Sequence, residues 1–320
     1  MAITSGTYET YQAIGRREDL TDVIHDISPT DTPFTSAIGK GTAKNTYHEW
    51  QTDALATAVG TNAVLEGDNP SNDSATPTVR LGNYTQLSDK VIQVSSSQRA
   101  STNAGRGDEL SYQRMKRSKE LKRDVEVRIT GNYASVAGVS DTTARACAGF
   151  EAWIQTNDSR GSGGGNTAFN AGIQAAATDA GTQRVFTESL LKDVLQLCWE
   201  NGGEPTMLMV GAFNKKQVSG FSGIADNIRD TGNKRATIVG AADVYVSDFG
   251  TLNVIANRFS RSRSALVVDP SMWKLCYYQP YKTEALSKTG HADREMLSVE
   301  FTLEACNEKA SGVVADLTTS

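Results

Sequence analysis

Residues 108–133 read DELSYQRMKRSKELKRDVEVRITGNY. The stretch has no proline and no glycine before Gly131. It is built from good helix formers, with enough charge of both signs to keep a helix solvated. Asp108 and Glu109 fall in the first turn, where carboxylates favour the positive end of the helix dipole. Leu121, Val125 and Ile129 recur at i, i+4 and i+8, and Leu110 and Met115 are expected to extend this narrow apolar track. Gly131-Asn132 is a stop signal. At about 1.5 Å per residue, roughly 24 residues make a rod on the order of 35 Å long. One thin apolar stripe on such a rod predicts a strut whose other sides are wet or face another subunit.

Upstream, residues 1–17 (MAITSGTYETYQAIGRR) are polar, with Tyr8, Tyr11 and Ile14 as anchors. A segment of this kind has no core of its own and is expected to be held by something else. Leu20, Val23, Ile24 and Ile27 predict a short amphipathic helix, ended at Ser28-Pro29. SPTDTPFTSAIG (28–39) then reads as extended or turn geometry, with Phe34 and Ile38 available to dock. Two strands are expected at 46–55 (TYHEWQTDAL) and 79–95 (VRLGNYTQLSDKVIQVS). The tip between them, about 23 residues rich in Gly, Asn, Asp, Ser and Pro, is too long for an ordinary connection. A two-stranded arm is marginal alone and needs a surface to lie on.

Downstream of the long helix, SRGSGGGNT (159–167) reads as a flexible surface loop, since neither phosphate-loop signature is present. Thr187 is an N-cap candidate for a helix with Leu190, Leu191, Val194, Leu195, Cys198 and Trp199 on one face, ended by Asn201-Gly202-Gly203. TMLMVG (206–211) reads as a buried strand and FNKKQVSGF (213–221) as a helix, together an α/β lobe. FSGIADNIRDTGNKRAT (221–237) is a polar loop. Strands are then expected at 244–248, 251–257, 265–269, 273–279, 281–286, 295–305 and 312–318. The alternation in SVEFTLEA (298–305) predicts a half-exposed sheet there.

Composition narrows the function classes. The chain has 320 residues, a net charge of −5 and a hydrophobic fraction of 38%. This allows one large domain or two smaller ones and argues against a surface built throughout to neutralise phosphates. Cys147, Cys198, Cys276 and Cys306 lie far apart, so neither a disulfide framework nor a zinc spacing is suggested. No apolar run is long enough to span a membrane, and the N-terminus does not read as a signal peptide. His25, His48 and His291 have no ligand-spaced neighbour in sequence, and the nucleophile motifs GxSxG and SxxK are absent. The carboxylate pairs read as helix-start charges. No catalytic, cofactor-binding or metal-ligating residue is therefore assigned. RFSRSR (258–263) is a basic turn whose Arg258, Arg261 and Arg263 could face DNA or a neighbouring subunit.

The pieces LTDVIHDISPTDTPFTSAIGKG (20–41), TYHEWQTDAL (46–55), RLGNYTQLSDKVIQVS (80–95) and MKRSKELKRDVEVRITGN (115–132) resemble, in order and spacing, the major capsid proteins of tailed bacteriophages. Within these they are similar to the SU10-type major head proteins; the last 180 residues or so match in pattern only. The resemblance implies an α+β HK97-like fold. Residues 1–45 would form an N-terminal arm, 46–97 an extended β-hairpin loop and 98–186 a peripheral domain with a spine helix at 108–133. Residues 187–265 would form an axial domain, and 266–320 strands returning through both domains. It implies self-assembly into pentamers and hexamers of an icosahedral shell around double-stranded DNA, made in the bacterial cytoplasm. Tyr8, Tyr11, Trp50, Leu65, Pro70, Arg114, Arg117 and Lys122 are the expected inter-subunit contacts. The tip at 56–78 lacks a lysine, which speaks against the covalent crosslink some relatives form from this loop. Met1 opens directly on the arm, so scaffolding is expected from a separate protein, with portal and decoration proteins as further partners. An encapsulin-like cargo compartment, or a soluble enzyme with its site in 187–240, are the competing readings.

Overall fold

The computed structural model describes residues 28–320 except 70, 71, 73, 104, 106, 167, 168, 170–172 and 222–242. The expected helix at 20–27, the contacts at Tyr8, Tyr11 and Pro70, and most of the polar loop at 221–237 lie outside the described residues. In chain order the elements are α1 (Pro33–Ala37), β1 (Gly39–Thr42), β2 (Tyr47–Thr52), β3 (Val79–Tyr84), β4 (Gln86–Ser95), α2 (Ser96–Ala100), α3 (Glu109–Thr130), α4 (Phe150–Trp153) and β5 (Asp158–Ser159). There follow α5 (Glu188–Glu200), β6 (Met207–Val210), α6 (Ala212–Ser219), β7 (Val244–Ser247), β8 (Gly250–Ala256), β9 (Ala265–Val268), β10 (Trp273–Leu286), β11 (Ala292–Ala305) and β12 (Gly312–Val314).

The long helix α3 forms where its sequence places it. Asp108 caps it, its carboxylate accepting the N–H groups of Leu110 and Ser111. Leu110, Leu121, Val125 and Ile129 are buried. Met115 is not: it is 54% exposed. At about 100° per residue, Leu110 lies nearly in line with Leu121, whereas Met115 points roughly 120° away. The helix stops at Gly131 because the chain turns hard against itself there. A side chain at Gly149 would meet the Gly131 carbonyl oxygen at 2.1 Å.

Two sheets share the core. The first has the order β1-β10-β11-β4 and packs its apolar residues with α3. The second is six-stranded, in the order β5-β12-β9-β6-β8-β7. Its central strands are buried on both faces and sort their residues by parity. Met207 and Met209 of β6, with Leu266 and Val268 of β9, join the cluster that contains Leu121, Val125 and Phe301. Leu208, Val210, Ala265 and Val267 face the other way, onto Leu191, Val194, Leu195 and Cys198 of α5. One sheet thus forms a wall between two apolar clusters, which is why TMLMVG reads as continuously hydrophobic.

Several sequence expectations change. The strand expected over 79–95 is two strands: β3 pairs with β2, and β4 pairs with β11. Thr85 marks the switch. It is fully buried, its N–H donates to Thr46 O at 2.8 Å, and its hydroxyl donates to Glu300 Oε1 at 2.6 Å. The strands expected at 273–279 and 281–286 are one strand, β10, with register shifts between Tyr277 and Lys282. SVEFTLEA is not half-exposed. Leu297, Val299, Phe301 and Leu303 enter the apolar core, while Ser298, Glu300 and Thr302 are also buried, beneath other parts of the chain. Thr187 stands at the N-cap position of α5 without a side-chain capping bond, and Trp199 of α5 is 58% exposed.

Candidate assembly surface

The hairpin β2–β3 is rooted on the buried polar face of β11. Asn83 is fully buried and uses both ends of its amide: Nδ2 donates to Leu303 O at 2.9 Å, and Oδ1 accepts Ala148 N–H at 2.9 Å and Ser135 Oγ at 3.1 Å. Thr302 Oγ1 donates to Tyr84 O at 3.1 Å, and Arg145 meets Glu300 at 2.6 Å beside Thr85. These bonds fix the hairpin's exit angle, because a buried polar group keeps its partners or forfeits their full desolvation cost. Tyr47 and Tyr84 stack across the hairpin with centroids 4.6 Å apart. Gly82 makes room for Tyr47, whose ring would lie 2.5 Å from a Cβ there. Trp50, expected at a subunit contact, packs on Trp153 of its own chain at 5.4 Å.

Beyond Thr52 and Val79 the hairpin loses its support. Among the described residues of 53–78 there is neither helix nor strand, and all are exposed. Leu55 is 100%, Val64 84%, Leu65 80% and Val59 66% exposed. Four large apolar side chains on a loop that touches no core of its own are an exposed patch of the kind that marks an interaction site.

The cations expected at contacts divide. Arg114 is engaged within the chain, its guanidinium gripping both oxygens of Glu295 at 2.8 and 2.7 Å. Arg117 pairs with Glu120 one turn on, at 2.6 Å. Lys122 is exposed and borders a groove with Lys40, Tyr277 and Tyr281. In the basic turn, Arg258 is exposed, whereas Arg261 and Arg263 serve an internal network. Arg261 contacts Glu151 Oε1 at 3.1 Å and Asp179 Oδ1 at 2.8 Å, and Arg263 contacts Asp316 Oδ1 at 3.1 Å. Asp316 also accepts the N–H groups of Gly161 and Ala180, and the buried Glu151 pairs with Arg160 at 3.2 Å. The glycine-rich run is therefore pinned at Arg160 and Gly161 rather than loose throughout. A second exposed apolar patch lies at the edge of the six-stranded sheet. Val246 of β7 is 73% exposed, and Trp199 stacks near Phe249 at 5.6 Å.

Sequence reasoning missed two clusters. Glu126 is fully buried in α3 and accepts the N–H groups of Phe34 and Thr35 at 2.8 and 2.9 Å, together with the Thr35 hydroxyl and Asn257 Nδ2. It closes the start of α1, so the SPTDTPF segment docks through a carboxylate as well as through Phe34. Pro33 at the first helical turn was the available signal. The other cluster corrects the reading of the histidines. His48 Nε2 lies 3.0 Å from Glu304 Oε2, and Cys276 Sγ donates to the same oxygen at 3.1 Å. Cys306 Sγ donates to Oε1 at 3.4 Å. The His48 hydrogen bond, reinforced by the two thiols and Lys274, holds the Glu304 carboxyl down at about 2, while burial pushes the Cys276 thiol up to about 12.

The profile of the SU10 major capsid protein family matches residues 3–318. The chain belongs to the SU10 major capsid protein family. It is 27% identical over 343 residues to the major capsid protein of Escherichia phage Phieco32, with 96% of each chain covered. The fold of this capsid protein is shared by solved structures of far lower identity. The Cyanophage A-1(L) capsid asymmetric unit superposes with a TM-score of 0.66 at 12% identity, covering 98% of this chain and 99% of the other. The capsid of a native GTA particle gives a TM-score of 0.62 at 9% identity, with 97% of each chain covered. The fold is therefore the HK97-like one of phage capsids, and the protein is the major capsid protein of a phage, a component of the virion shell. Among the described residues no helix is long and apolar enough to cross a membrane.

Proposed function

We propose that this capsid protein builds an icosahedral shell of pentamers and hexamers around double-stranded DNA, and that its role is structural rather than catalytic. The observation that carries the reading is the hairpin: rigidly rooted through Asn83 and Thr85, then bare and apolar at its tip. Leu55, Val59, Val64 and Leu65 gain on the order of 1.5–3 kcal/mol each if a neighbour covers them. Repeated around a ring, head-to-tail contacts of this kind close a particle.

In this reading residues 1–45 are the arm, 46–97 the extended loop and 98–186 the peripheral domain. Residues 187–265 meet their copies near the rotation axes through the Trp199, Val246 and Phe249 edge, and 266–320 return through both domains. Leu65, Lys122 and Arg258 are the inter-subunit candidates that are exposed among the described residues, and Tyr8, Tyr11 and Pro70 extend the set. Separate scaffolding, portal and decoration proteins complete the partner list, and the net charge of −5 suits a container that does not grip its DNA tightly. Deleting residues 56–78 tests the loop's role. Soluble capsomers or monomers that cannot close a shell are the expected product; complete particles from that variant would refute it.

A further inference from the structure

The hairpin root gathers four side chains of types able to ligate a metal, and nothing in the assembly role calls for them. His48 comes from β2, Cys276 from β10 and Glu304 from β11, with Cys306 just past its end. One donor atom from each of His48, Cys276 and Glu304 lies within 4.8 Å of the other two. A tetrahedral zinc ion sits about 2.0–2.3 Å from its nitrogen, oxygen and sulfur ligands, so its ligand atoms are spaced by roughly the separations already present. Cys306, hydrogen-bonded to the far oxygen of Glu304 at 3.4 Å, stands just outside that trio and reaches a fourth position by side-chain rotation.

The surroundings make this a built site. His48 and Glu304 are only 16% and 13% exposed at the side chain. Gly41 of β1 faces Cys276 in the parallel register, and a Cβ there would come within 2.6 Å of the thiol sulfur. Trp50 lies 5.9 Å from the His48 ring and limits its freedom. Glu304 takes hydrogen bonds from both thiols and an ion pair from Lys274, at 3.3 Å. Lys274 is 44% exposed at its side chain, so the site has one side that borders solvent.

The geometry points to a zinc-class divalent cation site formed by His48, Cys276 and Glu304, with Cys306 as fourth ligand, that clips the root of the extended hairpin to the sheet. Thiolate, imidazole and carboxylate together suit Zn²⁺ better than Ca²⁺ or Mg²⁺, which take oxygen ligands. Binding exchanges the thiol protons for the metal and ties residues 256 apart in sequence. The structure of the loop would then depend on metal supply and on the thiols remaining reduced.

The test uses the full chain, kept reduced, stripped with a chelator and titrated with Co²⁺ alone. A thiolate-to-cobalt charge-transfer band that saturates at one Co²⁺ per chain and is bleached by Zn²⁺ is expected. Cys276→Ser should lower the band at least by half, Cys276→Ser with Cys306→Ser should abolish it, and Cys198→Ser should leave it unchanged. Absence of the band in the unmodified chain overturns the site without reference to any variant. So does a band that survives the double substitution or disappears with Cys198→Ser. Amide exchange in Tyr47–Thr52 provides a second readout: it should slow on adding Zn²⁺, and an unchanged rate would overturn the clip.

Discussion

The Glu126 carboxylate accepts the backbone N–H of Phe34 at 2.8 Å across 92 residues of sequence, in a place water does not reach. This bond joins the last turns of α3 to the segment that starts α1. Asn257 donates to the same oxygen at 2.8 Å, so three parts of the chain meet on one charge.

Glu126→Ala leaves the Phe34 and Thr35 N–H groups and the Asn257 amide without their acceptor. At about 1–3 kcal/mol per buried orphaned donor, the variant should lose at least about 3 kcal/mol. Glu126→Gln, which keeps one acceptor, should fall between the two. Denaturant melts of unassembled subunits measure this; an alanine variant within error of the parent contradicts the capping role.

Asn83→Ala removes the side-chain bond from β3 to Leu303 of β11 and those to Ala148 and Ser135. The expected cost is about 2–3 kcal/mol, with faster amide exchange concentrated in Val79–Tyr84 and α3 left protected. Uniform loss of protection across the whole chain would mean that Asn83 supports the fold at large and not the hairpin's exit.

The Arg261 guanidinium beside Asp179 holds its carboxyl below the ordinary carboxylate range. A depressed pKa in the fold adds stability above the unfolded value, about 3.9, and that stability drains away as pH falls through the folded pKa. Asp179→Asn should therefore be less stable than the parent by about 1 kcal/mol at pH 6, the pair being partly exposed. The gap should close below about pH 4. A gap that persists undiminished at pH 3 would locate the cost in packing.

Val246→Lys places a charge on the exposed edge of the six-stranded sheet, where a fold-stabilising role is small. Subunits should keep their melting temperature but form fewer rings by sedimentation. Unchanged ring formation would remove this edge from the contact set.

Much of this architecture was legible in the chain because it is local. Asp108 and the Leu121, Val125, Ile129 spacing define α3 within a few turns, and MLMV announces a strand buried on both sides. Met115 misled because an apolar residue within the helix was assumed to share its stripe, although its angular position does not. The break at Thr85 was hidden because threonine is a good strand former, and what interrupts the strand is Glu300, far along the chain. The same distance concealed the work of Arg261, whose acids stand at positions 151 and 179, and the meeting of His48 with Cys276 and Glu304. Periodicity reports burial along one element; it carries no information about which polar groups two distant elements will present to each other.

Electron cryo-microscopy of particles assembled from this chain, resolved at the hairpin, tests the central claim most directly. The account predicts that residues 53–78 lie across an adjacent subunit with Leu55, Val59, Val64 and Leu65 covered. Closed particles in which this tip stands in solvent, with those four side chains bare, would contradict it.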